Sequence, residues 1–174
     1  MDLNLFDSLS SDSDSERDQA RKAFEEFFED PNFDNVLFEL LSTPDLNQNY
    51  YILASKCLLI WFKNNFRQKN EEEKDIFVQK LQSFLLINHP AQKEIYKLYI
   101  STIYVHSSSV YVKYLGDSVH LISVDTPPDE LVCVLKLSFV TSMHFINTLN
   151  SEIHQYAVEL FTEINNRLPP ILLW

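Results

Sequence analysis

The sequence predicts an all-α chain built from stacked helical hairpins, and three observations carry that prediction. Gly116 is the only glycine among 174 residues, where ordinary usage would supply roughly a dozen. Tight β-hairpins and phosphate-cradling loops use glycine for positive φ and close backbone approach, so both are hard to build here. Apolar residues recur at helical spacing in segment after segment. The breaks between segments carry Ser, Asp, Asn and Pro, which start helices without glycine.

The elements follow in order. Leu3, Leu5, Phe6 and Leu9 predict a short opening helix, ended by the run from Ser10 to Ser15. Ser13 with Glu16 three positions on fits a capping box, in which each side chain satisfies a free amide of the other's end of the turn. Ala20, Ala23, Phe24, Phe27 and Phe28 then form an apolar stripe, with Glu25, Glu26 and Glu29 on the other side. Asp30 and Pro31 read as N-cap and first residue of a third helix carrying Phe33, Val36, Leu37, Leu40 and Leu41, stopped by Thr43-Pro44. The strongest stripe comes next: Tyr50, Tyr51, Ala54, Cys57, Leu58, Trp61, Phe62 and Phe66. Of the adjacent Trp61 and Phe62, one is expected to fill the core and the other to border it.

Asn70 followed by Glu71, Glu72 and Glu73 places acids at the positive end of a helix dipole and starts a helix bearing Phe77, Leu81, Phe84 and Leu85. Pro90 opens another with Ile95, Leu98, Tyr99, Thr102 and Ile103. Ser107 to Ser109 interrupt it, and a weaker stripe follows at Tyr111, Tyr114, Leu115, Val119 and Ile122. Tyr99 to Val112 is rich in β-branched and aromatic residues, which leaves a strand pair open there; the missing turn glycine favours helix. Thr126-Pro127-Pro128-Asp129 caps a helix with Leu131, Val134, Leu135 and Val140, and a last one begins near Asn150 with Ile153, Tyr156, Ala157, Leu160, Phe161 and Ile164.

The stronger helices of successive pairs start near residues 14, 48, 90 and 127, a period of roughly 35–40 residues that falls within the range of HEAT-like repeats. The expected fold is therefore a HEAT-like α–α superhelix, a solenoid of about four helix pairs in a single domain, 1–174. Within it, 1–12 hold the short first helix and an acidic Ser-rich loop, 13–89 the best-defined repeats, and 90–174 weaker repeats and an apolar tail. The tail, Leu168 to Trp174, is expected to fold back, to meet a partner, or to continue into further repeats.

Charge narrows the function. The net charge is −11, and residues 1–34 contribute eleven acids against three bases, a net −8. Such a surface repels a phosphate backbone and attracts a basic protein, so no direct nucleic-acid contact is expected. No apolar run approaches the roughly 20 residues of a membrane span. Cys57 and Cys133 in apolar settings suggest buried free thiols in a reducing compartment.

No catalytic constellation stands out. His89, His106, His120, His144 and His154 show no zinc-ligand spacing; His89 reads as a loop or cap residue, His144 and His154 as half-buried helix residues. Glu71 to Glu73 cannot share one helix face and read as a solvated helix start. The acidic serine stretch from Ser8 to Ser15 resembles an acid-directed kinase site, though capping and solvation account for it. Neither cofactor, metal nor enzymatic activity is expected.

From Ser13 to Phe66 the chain resembles the N-terminal HEAT repeats of the importin-β/exportin (karyopherin) superfamily. The resemblance rests on Arg17-Asp18-Gln19-Ala20-Arg21-Lys22-Ala23-Phe24, on the paired leucines of Val36-Leu37-Phe38-Glu39-Leu40-Leu41, and on Asn49-Tyr50-Tyr51-Ile52-Leu53-Ala54 ending in Trp61-Phe62-Lys63-Asn64-Asn65-Phe66. It implies binding of Ran, or a Ran-like small GTPase, in its GTP form, coupled to cargo loading or release in nucleocytoplasmic transport between cytoplasm and nucleus. Glu25, Glu26, Glu29, Lys63 and Asn64 are the partner-binding candidates. The other reading is a small helical adaptor without Ran binding, which joins a larger assembly through Ile171 to Trp174.

Overall fold

The computed structural model describes residues 4–172 apart from 10, 88, 107, 123–125, 148 and 149, and the side chains only as far as 166. Among the described residues the chain is all-α, with no strand: α1 (Asn4–Leu9), α2 (Asp14–Glu29), α3 (Phe33–Ser42), α4 (Gln48–Asn65), α5 (Glu71–Leu85), α6 (Gln92–Val105), α7 (Ser109–His120), α8 (Pro128–Phe145) and α9 (Ser151–Leu172). A short 3₁₀ turn, Phe66–Gln68, follows α4. Helices pack on their sequence neighbours, an arrangement consistent with a helical bundle or a repeat array. Two compact units form, Met1–Asn70 and Glu71–Trp174.

In the first unit α1 packs on α2, α2 on α4, and α3 on α4. Its core is an aromatic chain: Phe6 meets Phe24 at 5.2 Å, Phe24 meets Phe28 at 5.9 Å, and Phe28 meets Phe33 at 5.9 Å. Edge-on and tilted rings of this kind add to the area they bury. The Ser13 cap is present, its Oγ accepting from the Glu16 amide at 3.4 Å. The returning half of the box runs through Ser11, which donates to the Glu16 carboxylate (2.5 Å) and accepts from the Ser13 amide (3.1 Å).

The third helix starts two residues later than the sequence suggested. Asp30 is the C-cap of α2 and its carboxylate accepts from the Asn32 amide at 2.8 Å, so Asp30 and Pro31 form a turn and α3 begins at Phe33. The Asp side chain closes an Asx-type turn instead of capping the helix beyond it. In the α3–α4 loop Asp45 takes a positive φ of 57°, a left-handed residue that Asp tolerates through its short polar side chain. Tyr51 pins that loop, donating to the Thr43 carbonyl (2.5 Å) and accepting from the Leu46 amide (3.1 Å).

Trp61 and Phe62 are both interior, at 0% and 8% exposed, so neither merely borders the core. α4 packs on both α2 and α3, which covers the two adjacent faces that carry Trp61 and Phe62. The unit closes on itself at Lys69, whose ammonium lies 3.3 Å from Asp34 Oδ2 and 5.2 Å above the Trp61 ring.

In the second unit α5 packs on α6, α7 and α8; α7 packs on α8 and α9; and α8 packs on α9. The stretch with strand-like composition is helical: α6 runs to Val105, and α7 restarts at Ser109 behind the Ser108 cap, whose Oγ accepts from the Val110 amide at 3.2 Å. Its β-branched and aromatic residues Tyr99, Thr102, Ile103, Tyr111 and Val112 are core, and burial outweighs intrinsic propensity. α6 itself begins at Gln92, two residues beyond Pro90, with the His89 ring accepting from the Ala91 amide at 3.1 Å. Asn150 caps α9 through Oδ1, which accepts from Glu152 and Ile153.

α9 carries on through Pro169 and Pro170 to Leu172, where the sequence suggested a separate tail. Proline's fixed φ is compatible with a helix, but each ring removes an amide donor and crowds the carbonyl four residues back, so this last stretch is the weakest part of α9. The tail residues Leu173 and Trp174 lie outside the described residues.

A polar line crosses this unit's interior. Gln82 donates to the Tyr99 hydroxyl (3.3 Å) and the Tyr111 carbonyl (3.2 Å), Tyr99 lies 2.6 Å from the Thr141 hydroxyl, and Thr141 donates to the Leu137 carbonyl (2.8 Å). α5, α6, α7 and α8 are thus joined through buried hydrogen bonds, which hold their register more sharply than apolar contact does. Nearby, His106 ends α6 with Nε2 2.8 Å from Asp75 Oδ1 and Nδ1 3.4 Å from Glu71 Oε2. Tyr111 donates to the His106 carbonyl.

Candidate functional site

The C-terminal half of α2 and the C-terminal half of α4 flank an open groove of about 750 Å³ in the first unit, lined by Glu25, Phe28, Glu29, Ile60, Asn64 and Asn65 among others. Its position follows from how α4 finishes α2. Trp61 Nε1 donates to the Asp30 carbonyl at 2.9 Å, and Asn65 Nδ2 donates to the Phe28 carbonyl at 2.8 Å and the Trp61 carbonyl at 3.2 Å. Two carbonyls at the end of α2, where a helix leaves acceptors unsatisfied, are therefore met by α4 side chains.

The groove brings together Glu25, Glu29 and Asn64. Glu26 and Lys63 are exposed but do not line it. Lys63 sits in the last turn of α4, where a cation complements the helix dipole. Asn65 and Trp61 were not singled out as site-forming from sequence. The signal was available in the Trp-x-x-x-Asn spacing, which puts both on one helix face, but nothing local says that face meets the end of α2.

The electrostatics are one-sided. Glu25, Glu26 and Glu29 are exposed, and none forms an ion pair among the described residues. The last turn of α2 holds no base. Carboxylates at a helix C-terminus oppose the dipole and cost stability. Apolar surface lies beside them in the groove at Ile60, 45% exposed, while Phe27 does not line it and stacks on Phe33 at 5.2 Å. Chemically, the groove can hold a cationic side chain against carboxylates over an apolar floor.

The other sequence candidates are placed as follows. Among the described residues no cluster of three or more His, Cys, Asp or Glu could hold a metal ion. His144 is half-buried with Nε2 3.2 Å from the Ile103 carbonyl, whereas His154 is exposed, its Nδ1 2.5 Å from the Ile146 carbonyl at the turn into α9. Cys57 is buried and its thiol is pushed up to about 12 by desolvation; Cys133 is half-buried. A cleft of about 270 Å³ between α7 and α9 is lined by Lys113 and by Asp117, Glu159 and Glu163, with Lys113 4.3 Å above the Tyr156 ring and His120 3.5 Å from Glu163. No described protein family, no curated protein and no solved structure matches the chain.

Proposed function

We propose that the first unit is a protein-docking module whose α2–α4 groove takes a basic surface of a partner protein. The observation that carries this reading is the end of α2, where Glu25 and Glu29 stand unpaired among the described residues in a groove they share with exposed Ile60. Their position opposes the helix dipole, and a cationic partner is what offsets it. The resemblance to karyopherin N-terminal repeats names a specific partner: a Ran-like small GTPase in its GTP form, with a role in transport between cytoplasm and nucleus. Contacts between alternate helices (α2 with α4, α5 with α7, α7 with α9) support a HEAT-like repeat arrangement within each unit.

A pull-down with Ran locked in its GTP form tests the specific partner. Retention at low salt, weakened roughly tenfold or more by the combined reversal Glu25→Lys, Glu26→Lys and Glu29→Lys, is the expected result. No retention at low salt removes Ran. Retention indifferent to the reversal removes the groove.

A further inference from the structure

The second unit carries a site of opposite charge. Only seven of its side chains are Lys or Arg against twelve Asp or Glu, yet Lys93, Lys97 and Lys136 line a single cleft of about 260 Å³ between α6 and α8, floored by Leu85, Tyr96 and Leu137. All three lysines are exposed, and none forms an ion pair among the described residues. Lys136 instead lies 5.2 Å from the Tyr96 ring, which holds its ammonium at the mouth of the cleft. Gathering unpaired cations in an acidic protein costs repulsion, and an anionic ligand removes that cost.

The cleft is smaller than the roughly 300–1,000 Å³ of sites that enclose a small molecule. Beyond it the apolar surface continues along the solvent face of α8: Val132 is 62% exposed, Phe139 47% and Met143 46%. With Lys136 these residues fall at helical spacings of three and four, on one face. An apolar strip edged by lysines and leading into a one-side-chain cleft has the layout of a peptide-docking surface, apolar at the centre and charged at the rim.

We infer that this face of α6 and α8 docks an acidic peptide segment of a partner, with an aromatic or branched apolar side chain seated over Leu85 and Leu137 and flanking carboxylates on Lys93, Lys97 and Lys136. Charge complementarity selects the occupant, and the exposed strip on α8 gives it length. The cleft and the α2–α4 groove share no lining residue.

The test uses the full chain and a fluorescein-labelled peptide of Glu and Asp with one central Phe. Saturable anisotropy at low salt is expected, weakened roughly tenfold or more by Lys93→Glu, Lys97→Glu and Lys136→Glu together. The matched reversal Lys22→Glu, Lys56→Glu and Arg67→Glu, which changes net charge equally at exposed positions of the first unit, should leave affinity within about twofold. Cys133 lines the cleft, so bound peptide should slow its alkylation. No binding, or equal weakening by both reversals, overturns the site. Full competition by phenyl phosphate at equal concentration means a small-anion pocket, and self-association lost only in the first variant means a second copy as occupant; either overturns the peptide reading.

Discussion

At the scale of the residue, the informative side chains are those that donate across elements. Tyr99 is fully buried and its hydroxyl is pushed up to about 12, chiefly by desolvation, while the Thr141 and Gln82 hydrogen bonds hold it back. Desolvation likewise raises Cys57 to about 12, and burial, helped by the Asp75 charge, raises Tyr111. The sign follows directly. These groups stay neutral in the folded chain where the unfolded chain ionises, so their contribution is whole below the ordinary values of 9.0 and 10.0 and drains as pH climbs toward about 12. Urea midpoints should accordingly be flat below about pH 9 with respect to these groups and fall above it. Tyr99→Phe should blunt part of that alkaline fall, at a cost of about 1–2 kcal/mol at neutral pH for the lost hydrogen bonds. The thiols supply a second check: in native protein at mildly alkaline pH, mass spectrometry after alkylation should show Cys133 modified well before Cys57.

The ends of elements are set by caps, and here several are visible in local chemistry. Asn47 accepts from the Asn49 amide at 2.9 Å, while the Ser13 cap bond is 3.4 Å long. Asn47→Ala should therefore cost about 1 kcal/mol and Ser13→Ala less, measured by urea denaturation. Gly116 lies inside α7 without positive φ, and a Cβ there would meet nothing within 4 Å. The chain's single glycine is not spent on a turn; that work falls to Asp45. Gly116→Ala should stabilise by about 0.5–1 kcal/mol.

Across the whole molecule, the first unit is closed by one buried pair. The side chains of Lys69 and Asp34 are 10% and 4% exposed, and the same ammonium lies over Trp61. Lys69→Met takes the countercharge from a buried carboxylate, so it should cost about 3 kcal/mol or more. That loss should exceed the effect of any single reversal among Glu25, Glu26 and Glu29, which are solvent-exposed. Deleting residues 169–174 and measuring oligomeric state by light scattering bears on the adaptor reading: a shift to smaller assemblies supports it, and an unchanged monomer leaves the docking groove as the working surface.

Local pattern was enough for the all-helical class, the stripes of α2, α4 and α5, and the Ser13 cap, because each depends on neighbours a few residues away. The acids Glu25, Glu26 and Glu29 were visible in the primary structure as an uncompensated run, whereas Lys63 and Asn64 were candidates only through the family resemblance; of the five, Glu25, Glu29 and Asn64 line the groove. Local pattern misplaced the start of α3, where Asp30 chose a turn over a cap, and it could not see that Asn65 and Trp61 reach the carbonyls that end α2. Nor could it gather Lys93, Lys97 and Lys136, which come from helices some forty residues apart. Those outcomes depend on which helix faces meet. That is settled by packing over long sequence separation, on which spacing within one helix is silent.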